Sequence, residues 1–440
     1  MRVMSFKSGF LHHIHPFENA ASGQGIFSLL KRLFKSRQRY GLSPSKVDEA
    51  LTRFSTSLRW YNARATLPIT VSVLAQHLDL IYKYQEQGLE FTAYGLPKSD
   101  FNRLSLTDQQ ARLEAARRIF AQSGIRSVGF RYPGLSWNAE ARTALKADGI
   151  LYDNSEAIDF TALNLPQSKS YAQLLKFHRA ASAEDRPVLP WLDGNLVRIP
   201  YCLPDDEALL DHLADQNEDD IARVWTTMLD QVHLSGELLT LGLHPERIDE
   251  YRRAMESVLA HAHTLSPTVW FARLDEVADW WQALAQVTFE VKNISVGTYE
   301  VKINLPFKGT VLVRQAQVKG PVERWDDAYQ RVQAKEFRVQ AQGRPFIGVA
   351  PDCAPELISF LRQQGYLVEV NPEVQAYRLY FNRPTFGVED QRELLATIEN
   401  SHAPLIRVGR WPDGARCAMS ITGTVDALTL MDYLRRLFRG

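Results

Sequence analysis

The feature that most constrains this chain is a repeated passage from a short apolar run, through a helical pattern, to a glycine stop. "DQQARLEAARRIFAQSG" is a helix pattern closed by Gly124, and "IRSVGFRYP" is a strand-like run halted at Pro133. "WNAEARTALKADG" closes at Gly149, and "ILYDNS" follows as the next strand. Earlier, "SPSKVDEALTRFSTSLRWYNA" puts Val47, Ala50, Leu51 and Phe54 at helical spacing behind an N-cap candidate at Ser43 or Ser45. "ATLPITVSVL" then reads as a strand leading into another helix. Strands alternating with helices build parallel βα units.

The texture changes near Gln286. "VTFEVKNISVGTYEVKINLPFKGTVLVRQAQVKG" alternates with period two and turns at Gly297 and Gly309, the signature of antiparallel sheet. "RPFIGVAPDCAPELISFLRQQGYLVEV" is a strand–helix–strand unit, and "ARCAMSITGTVDALTLMDYLRRLF" is one strand, a polar loop and a helix. With 440 residues, two to three domains are affordable, and the expected division is 1–285, 286–345 and 346–440.

Lys+Arg and Asp+Glu both number 51, so no net field draws nucleic acid or an anionic membrane. The run "LLKRLFKSRQRYG" carries five Lys/Arg and no acid; it reads as a solvated helix face or as a surface for an anionic glycan or lipid. Cys202, Cys353 and Cys417 are odd in number and far apart, which fits buried free thiols in a reducing compartment. Residues 1–30 lack an apolar core with a small-residue cleavage site, and no run reaches the roughly 18 apolar residues of a membrane helix. The expectation is a soluble, cytoplasmic protein with no transmembrane segment and no nucleic-acid partner.

Three blocks in order carry a resemblance over residues 40–285: "EFTAYGLPKSDFNRLS", "GFRYPGLSWNAEARTALKADGILYDNS", and "GELLTLGLHPERIDEYRRAMESVL" followed by "VWFARLDEVADWW". They resemble successive motifs of the polysaccharide deacetylases, the NodB homology domain of carbohydrate esterase family 4. The resemblance implies an α/β fold, a distorted (β/α) barrel of the polysaccharide deacetylase type with an added β-rich domain. The chemistry it implies is hydrolysis of an N-acetyl amide on a sugar. One Asp and two His hold a divalent metal that activates water, a second Asp is general base, and a His is general acid.

Carried over by position, the resemblance puts Tyr94 and Lys98 where the family has its two metal-binding histidines. An ammonium has no lone pair for a cation, and a tyrosine must first lose a proton of pKa near 10. His244 stands at the acid position, and Arg131 at that of the arginine orienting the base. The aspartate motif is matched by "SITGTVDALTL" in the tail, which implies a circular permutation with the first barrel strand at residues 416–423. Thr424 then occupies the base position and Asp426 the metal-ligand position. A threonine hydroxyl has no pKa near neutrality and cannot serve as base unaided. Tyr132, Pro133 and Trp137 join Tyr94 and Lys98 as residues expected to line the substrate groove.

Plainer readings stand beside these. Asp426 also reads as an N-cap for "ALTLMDYLRRLF", Arg131 as the partner of a buried carboxylate, and His244 as a hydrogen-bonded strand-end histidine. Lys98 reads as a solvated loop lysine or as an ammonium filling the vacated site beside Asp426. Asp205 and Asp206 in "LPDDEALL" read as helix caps rather than cleft residues, and "PWLDGN" as a hairpin turn. Trp280 and Trp281 read as core or interface residues. His13, His15 and Glu18 in "LHHIHPFE" form a second metal candidate, against surface histidines without a ligand.

The function this supports is a catalytically degenerate pseudoenzyme of polysaccharide or glycolipid biosynthesis. It would bind an N-acetylated glycan or sugar-lipid, or support an active deacetylase-like relative as a hetero-oligomer partner. No cofactor is expected in that case; zinc or another divalent metal is expected if the site is active. The alternatives are an active N-deacetylase with an altered or metal-free site, and a protein-interaction scaffold.

Overall fold

A computed structural model describes residues 39–438, apart from 96–103, 136, 148, 161–162, 164, 166–167, 214–215 and 307. Lys98, His13, His15, Glu18 and most of the basic run therefore lie outside the described residues. Six parallel strands arise in chain order: β1 (Ala65–Ile69), β2 (Glu90–Tyr94), β3 (Gly129–Arg131), β4 (Tyr152–Asp159), β5 (Leu196–Leu203) and β6 (Leu238–Gly242). β1 and β6 are buried along their whole length, which is why they read as continuous apolar runs rather than as alternation.

The chain then leaves this sheet for a β-rich region. β7 (Thr288–Ser295), β8 (Thr298–Asn304), β9 (Val311–Arg314), β10 (Gln317–Lys319), β11 (Val322–Arg324), β12 (Gln330–Val332) and β13 (Glu336–Gln340) are followed by β14 (Arg344–Val349), β15 (Val368–Val370), β16 (Tyr377–Phe381) and β17 (Leu405–Val408). They form two four-stranded sheets, β7-β8-β13-β10 and β11-β12-β9-β17, and a parallel three-stranded sheet β15-β14-β16. The sequence suggests a small antiparallel sheet or half-sandwich here; the second sheet is extended by Leu405–Val408, which pairs antiparallel with Val311–Arg314.

β18 (Cys417–Thr422) returns to the first sheet and fills the place between β1 and β6. With β4 also pairing β5, the order β4-β3-β2-β1-β18-β6-β5 closes on itself. The result is a closed parallel barrel of seven strands with helices outside and antiparallel sheets added, the fold class expected. Short strands decorate it, among them Trp191–Asp193, which forms a hairpin with β5 across Gly194.

Helix ends follow local chemistry. Ser105 Oγ accepts from Asp108 N ahead of the helix Leu106–Gln122, and Asn217 and Asp220 form a capping box for Glu218–Ser235, which stops at Gly236 in the left-handed region. Ser43 and Ser45 do not cap the helix Ser45–Trp60: Pro44 stands at the cap, and the two hydroxyls bond each other at 2.7 Å. Trp280 and Trp281 are buried, and Trp281 packs against Trp411 with ring centroids 5.5 Å apart. Trp411 Nε1 donates to Gly236 O and Trp281 Nε1 to Gln363 Oε1, so this cluster joins the barrel to the following region. Cys202, Cys353 and Cys417 are buried free thiols. Among the described residues, no helix is long and apolar enough to cross a membrane.

Candidate functional site

The C-terminal ends of the barrel strands bring the chemically interesting residues to one rim, as (β/α) barrels do. Arg131 ends β3 in register with Tyr94, which ends β2. The Arg131 guanidinium is buried and donates through Nη2 to Asn154 Oδ1 and, at 2.6 Å, to Thr422 Oγ1. Thr422 Oγ1 in turn donates to Thr66 O at 2.9 Å, and Asn154 Nδ2 donates to Ile199 O and Pro200 O. This network crosses the barrel from β1 to β5. Arg131 donates its hydrogen bonds to neutral groups, so an amide and a hydroxyl stand in place of the expected buried carboxylate partner. Burial pulls its pKa below the usual guanidinium value.

Arg131 also lies 4.8 Å from the ring centre of Tyr201, whose hydroxyl donates to Asp205 Oδ2 at 2.7 Å. Asp205 Oδ1 accepts from Ala208 N, so Asp205 is the capping residue expected. Asp206 is not. It is fully enclosed, and both its oxygens turn to His244: Oδ2 accepts from the backbone N at 3.0 Å and Oδ1 meets Nδ1 at 2.8 Å. In the sequence the two aspartates look alike because both precede a helix; the signal that separates them is a histidine after an apolar strand that needs a carboxylate.

Burial works against a charged imidazole at His244, but the Asp206 carboxylate outweighs it and lifts the pKa to about 10. His244 is therefore an imidazolium at neutral pH, with a side-chain exposure of 22 % that leaves the ring within reach of a ligand. Burial, then the neighbouring Asp206 and Glu207, push Asp205 up to about 7. Asp206→Asn is expected to lower the His244 pKa from about 10 toward its reference of about 6.5, since only the weaker pull of Glu246 and Glu207 then opposes burial. An NMR titration of the imidazole resonances checks this. A pKa still near its wild-type value would mean that Asp206 is not what holds the proton.

The tail supplies the stretch of rim beside His244. Gly423 packs against the His244 loop so closely that a Cβ there would stand 3.4 Å from His244 N. Thr424 follows in the loop, half-buried, and Val425 bridges to Ile69. Asp426 Oδ1 accepts from the Tyr40 hydroxyl at 3.5 Å, a hydroxyl that also reaches Glu246 Oε1 at 3.2 Å. Asp426 is not the cap of the last helix. That helix starts at Leu430 and is capped by Thr429, whose Oγ1 accepts from Asp432 N while Asp432 Oδ2 accepts from Thr429 N.

Of the expected groove residues, Tyr94 sits at the rim, its hydroxyl accepting from Gly134 N at 3.4 Å. Pro133 packs beneath Gly95. Tyr132 is a correction: it is fully buried, its ring edge-on to Phe130 and its hydroxyl donating to Ala141 O, so it braces the core. Trp137 is half-buried with the guanidinium groups of Arg142 and Arg198 over its ring at 4.4 and 4.9 Å, so its face is already covered.

The donor set does not fit a divalent metal. Such an ion takes about three protein ligands from His, Cys, Asp and Glu. Tyr94, Thr424 and Asp426 offer a phenol, a hydroxyl and one carboxylate, and among the described residues no three metal-ligating side chains gather.

No family model matches the chain, and no curated protein matches it. Solved structures do. A protein from Pseudomonas aeruginosa PAO1 assigned as a polysaccharide deacetylase is 19% identical, with 58% of this chain and 76% of that one covered and a TM-score of 0.44. A Puue allantoinase is 18% identical over 58% of this chain and 76% of its own, also with a TM-score of 0.44. BA3943 of Bacillus anthracis, a pseudoenzyme of carbohydrate esterase family 4, is 14% identical over 42% and 57%, with a TM-score of 0.26. The barrel itself stands on its strand pairing.

Proposed function

We propose that this chain is a deacetylase-like glycan-binding protein of polysaccharide or glycolipid biosynthesis whose barrel has lost metal-dependent hydrolysis. One observation carries the reading: at the positions the resemblance assigns, the rim has a hydroxyl at Thr424 where a base is required and only Asp426 as a carboxylate ligand, and among the described residues no three metal-ligating side chains gather. In this reading β18 is the family's first barrel strand, moved to the end of the chain by circular permutation. The groove keeps an N-acetylated glycan or sugar-lipid, and an active deacetylase-like relative performs the chemistry.

The test is elemental analysis of purified protein, before and after soaking with zinc, cobalt or nickel, beside a Tyr94→His/Lys98→His/Thr424→Asp variant. The wild type is expected to stay metal-free and the variant to bind one ion. A stoichiometric ion on the wild type would overturn the reading.

A second reading, an amide hydrolase with an altered site, has one observation in its favour. The Asp206–His244 pair keeps an imidazolium within reach of a ligand, which is what a general acid for a leaving amine requires. Release of acetate from N-acetylated oligosaccharides, lost in Asp206→Asn and in His244→Gln, would favour it over the first.

A further inference from the structure

The chain crosses four times between the two four-stranded sheets, and two of those crossings, the one after Asn304 and the one after Val332, border a cleft of about 310 Å³. Its lining is polar and includes Thr310, Glu323, Arg331, Gln333 and Lys335. A volume of roughly 300 Å³ is the lower end of what small-molecule sites occupy.

Two groups in it lack partners. Thr310 is 3 % exposed, yet its Oγ1 makes no hydrogen bond. Buried hydroxyls are rarely left so, because an unmade hydrogen bond leaves the desolvation of the group uncompensated. Arg331 is directly opposite Glu323 in the β11–β12 register, a placement that ordinarily gives a cross-strand ion pair. No such pair forms. Glu323 Oε1 accepts instead from Gln333 Nε2 at 2.5 Å. The Arg331 guanidinium turns toward the turn at Gly414, where Nη1 and Thr310 Oγ1 lie 3.5 and 3.7 Å from one and the same point, the place of a Cβ on that glycine. Both residues line the cleft, and among the described residues the structure pairs the guanidinium with no carboxylate.

We propose that this cleft binds a small hydroxylated molecule bearing an anion, a carboxylate or phosphate on a sugar-sized body. Arg331 is its charge partner and the Thr310 hydroxyl its second contact. Lys335 adds a second cation at the edge, while the Glu323 carboxylate is engaged by Gln333. A planar guanidinium binds either anion through paired N–H groups. The site lies outside the barrel and is independent of what the barrel rim does.

Calorimetric titration of the full chain with glucuronate, glucose 6-phosphate and glucose tests this. At least one acid is expected to bind, and glucose to bind at least about tenfold more weakly, the value of one charge-assisted contact. Binding of glucuronate alone would identify a carboxylate ligand, and of the sugar phosphate alone a phosphoryl one. Arg331→Gln is expected to weaken the acid about tenfold or more, and Thr310→Val several-fold, with the far-ultraviolet circular dichroism unchanged. Lys335→Gln serves as a second variant should Arg331→Gln misfold, and is expected to weaken the acid by a smaller factor. Silence with both acids, equal binding of glucose, or acid binding indifferent to the Arg331 and Lys335 variants would overturn the proposal.

Discussion

A chain ending at Asp413 is expected not to fold, and to run as an aggregated or unfolded species without a cooperative thermal transition. The segment removed contains β18, an interior strand hydrogen-bonded to β1 on one side and β6 on the other, with Val269–Phe271 paired to it as well. All six of its residues are buried. Met419, Ile421 and Leu428 leave with it, and each buried apolar side chain of that size is worth about 1.5–3 kcal/mol. Together they rival the roughly 5–15 kcal/mol that holds a typical domain folded. The backbone groups of β1 and β6 would also lose partners inside a closed barrel, which has no other edge to offer them.

The same geometry predicts a rescue. Leu430 N donates to Gly41 O at 2.8 Å, and Tyr433 stacks on Tyr40 at 5.4 Å, so the last helix already lies beside the start of the described chain. Residues 414–438 moved ahead of residue 39 through a short glycine–serine linker are therefore expected to restore the cooperative transition. Size-exclusion chromatography and thermal circular dichroism read both chains. A truncated chain that melts cooperatively near the wild-type temperature would show that the barrel closes without β18.

What the sequence made legible was local. The run "ATLPI" and the run "CAMSIT" look like strands because both faces of an interior barrel strand are buried, and Gly124 and Gly149 mark helix ends because the left-handed backbone there suits glycine. His244 and Arg131 are named through the resemblance to the deacetylase motifs, which puts them at the acid and base-orienting positions. What stayed hidden depends on residues far apart in the chain. Nothing near Leu405–Val408 says that it joins Val311–Arg314 rather than the adjacent parallel sheet. The Asp205–Asp206 doublet offered a helix cap equally at both positions, and only the arrival of His244 from the end of β6 separates them. Tyr132 was placed in the groove because it sits between Arg131 and Pro133; strand alternation turns it the other way, into the core. The plainer reading of Asp426 as a cap starts the helix too early in the chain; Thr429 with Asp432 supplies that cap instead.

Gly423→Ala is expected to be the most damaging single substitution on the rim, costing about 3–5 kcal/mol, the range reached by severe core clashes. The reason is space rather than backbone freedom, since Gly423 is not among the residues with positive φ. A Cβ there would lie 1.5 Å from Leu243 O and 2.5 Å from Leu243 C. Those are backbone atoms, and neither side has room to give. Leu243 N donates to Thr422 O at 2.7 Å and Val425 N to Pro68 O at 2.9 Å, so the junction is pinned to β18 and β1 at once. Any shift that relieves the clash must move His244 off Asp206 or pull β18 away from β6. Gly194→Ala is the contrasting variant: φ is +66° in an open hairpin turn with nothing within 4 Å of a Cβ, so only left-handed strain of about 1–2 kcal/mol applies. Denaturant midpoints at constant m-value compare the two, and the His244 imidazole titration reports whether its contact with Asp206 survives. A Gly423→Ala variant as stable as Gly194→Ala, with the His244 pKa unmoved, would mean that the strand end and the histidine loop are not in the contact described.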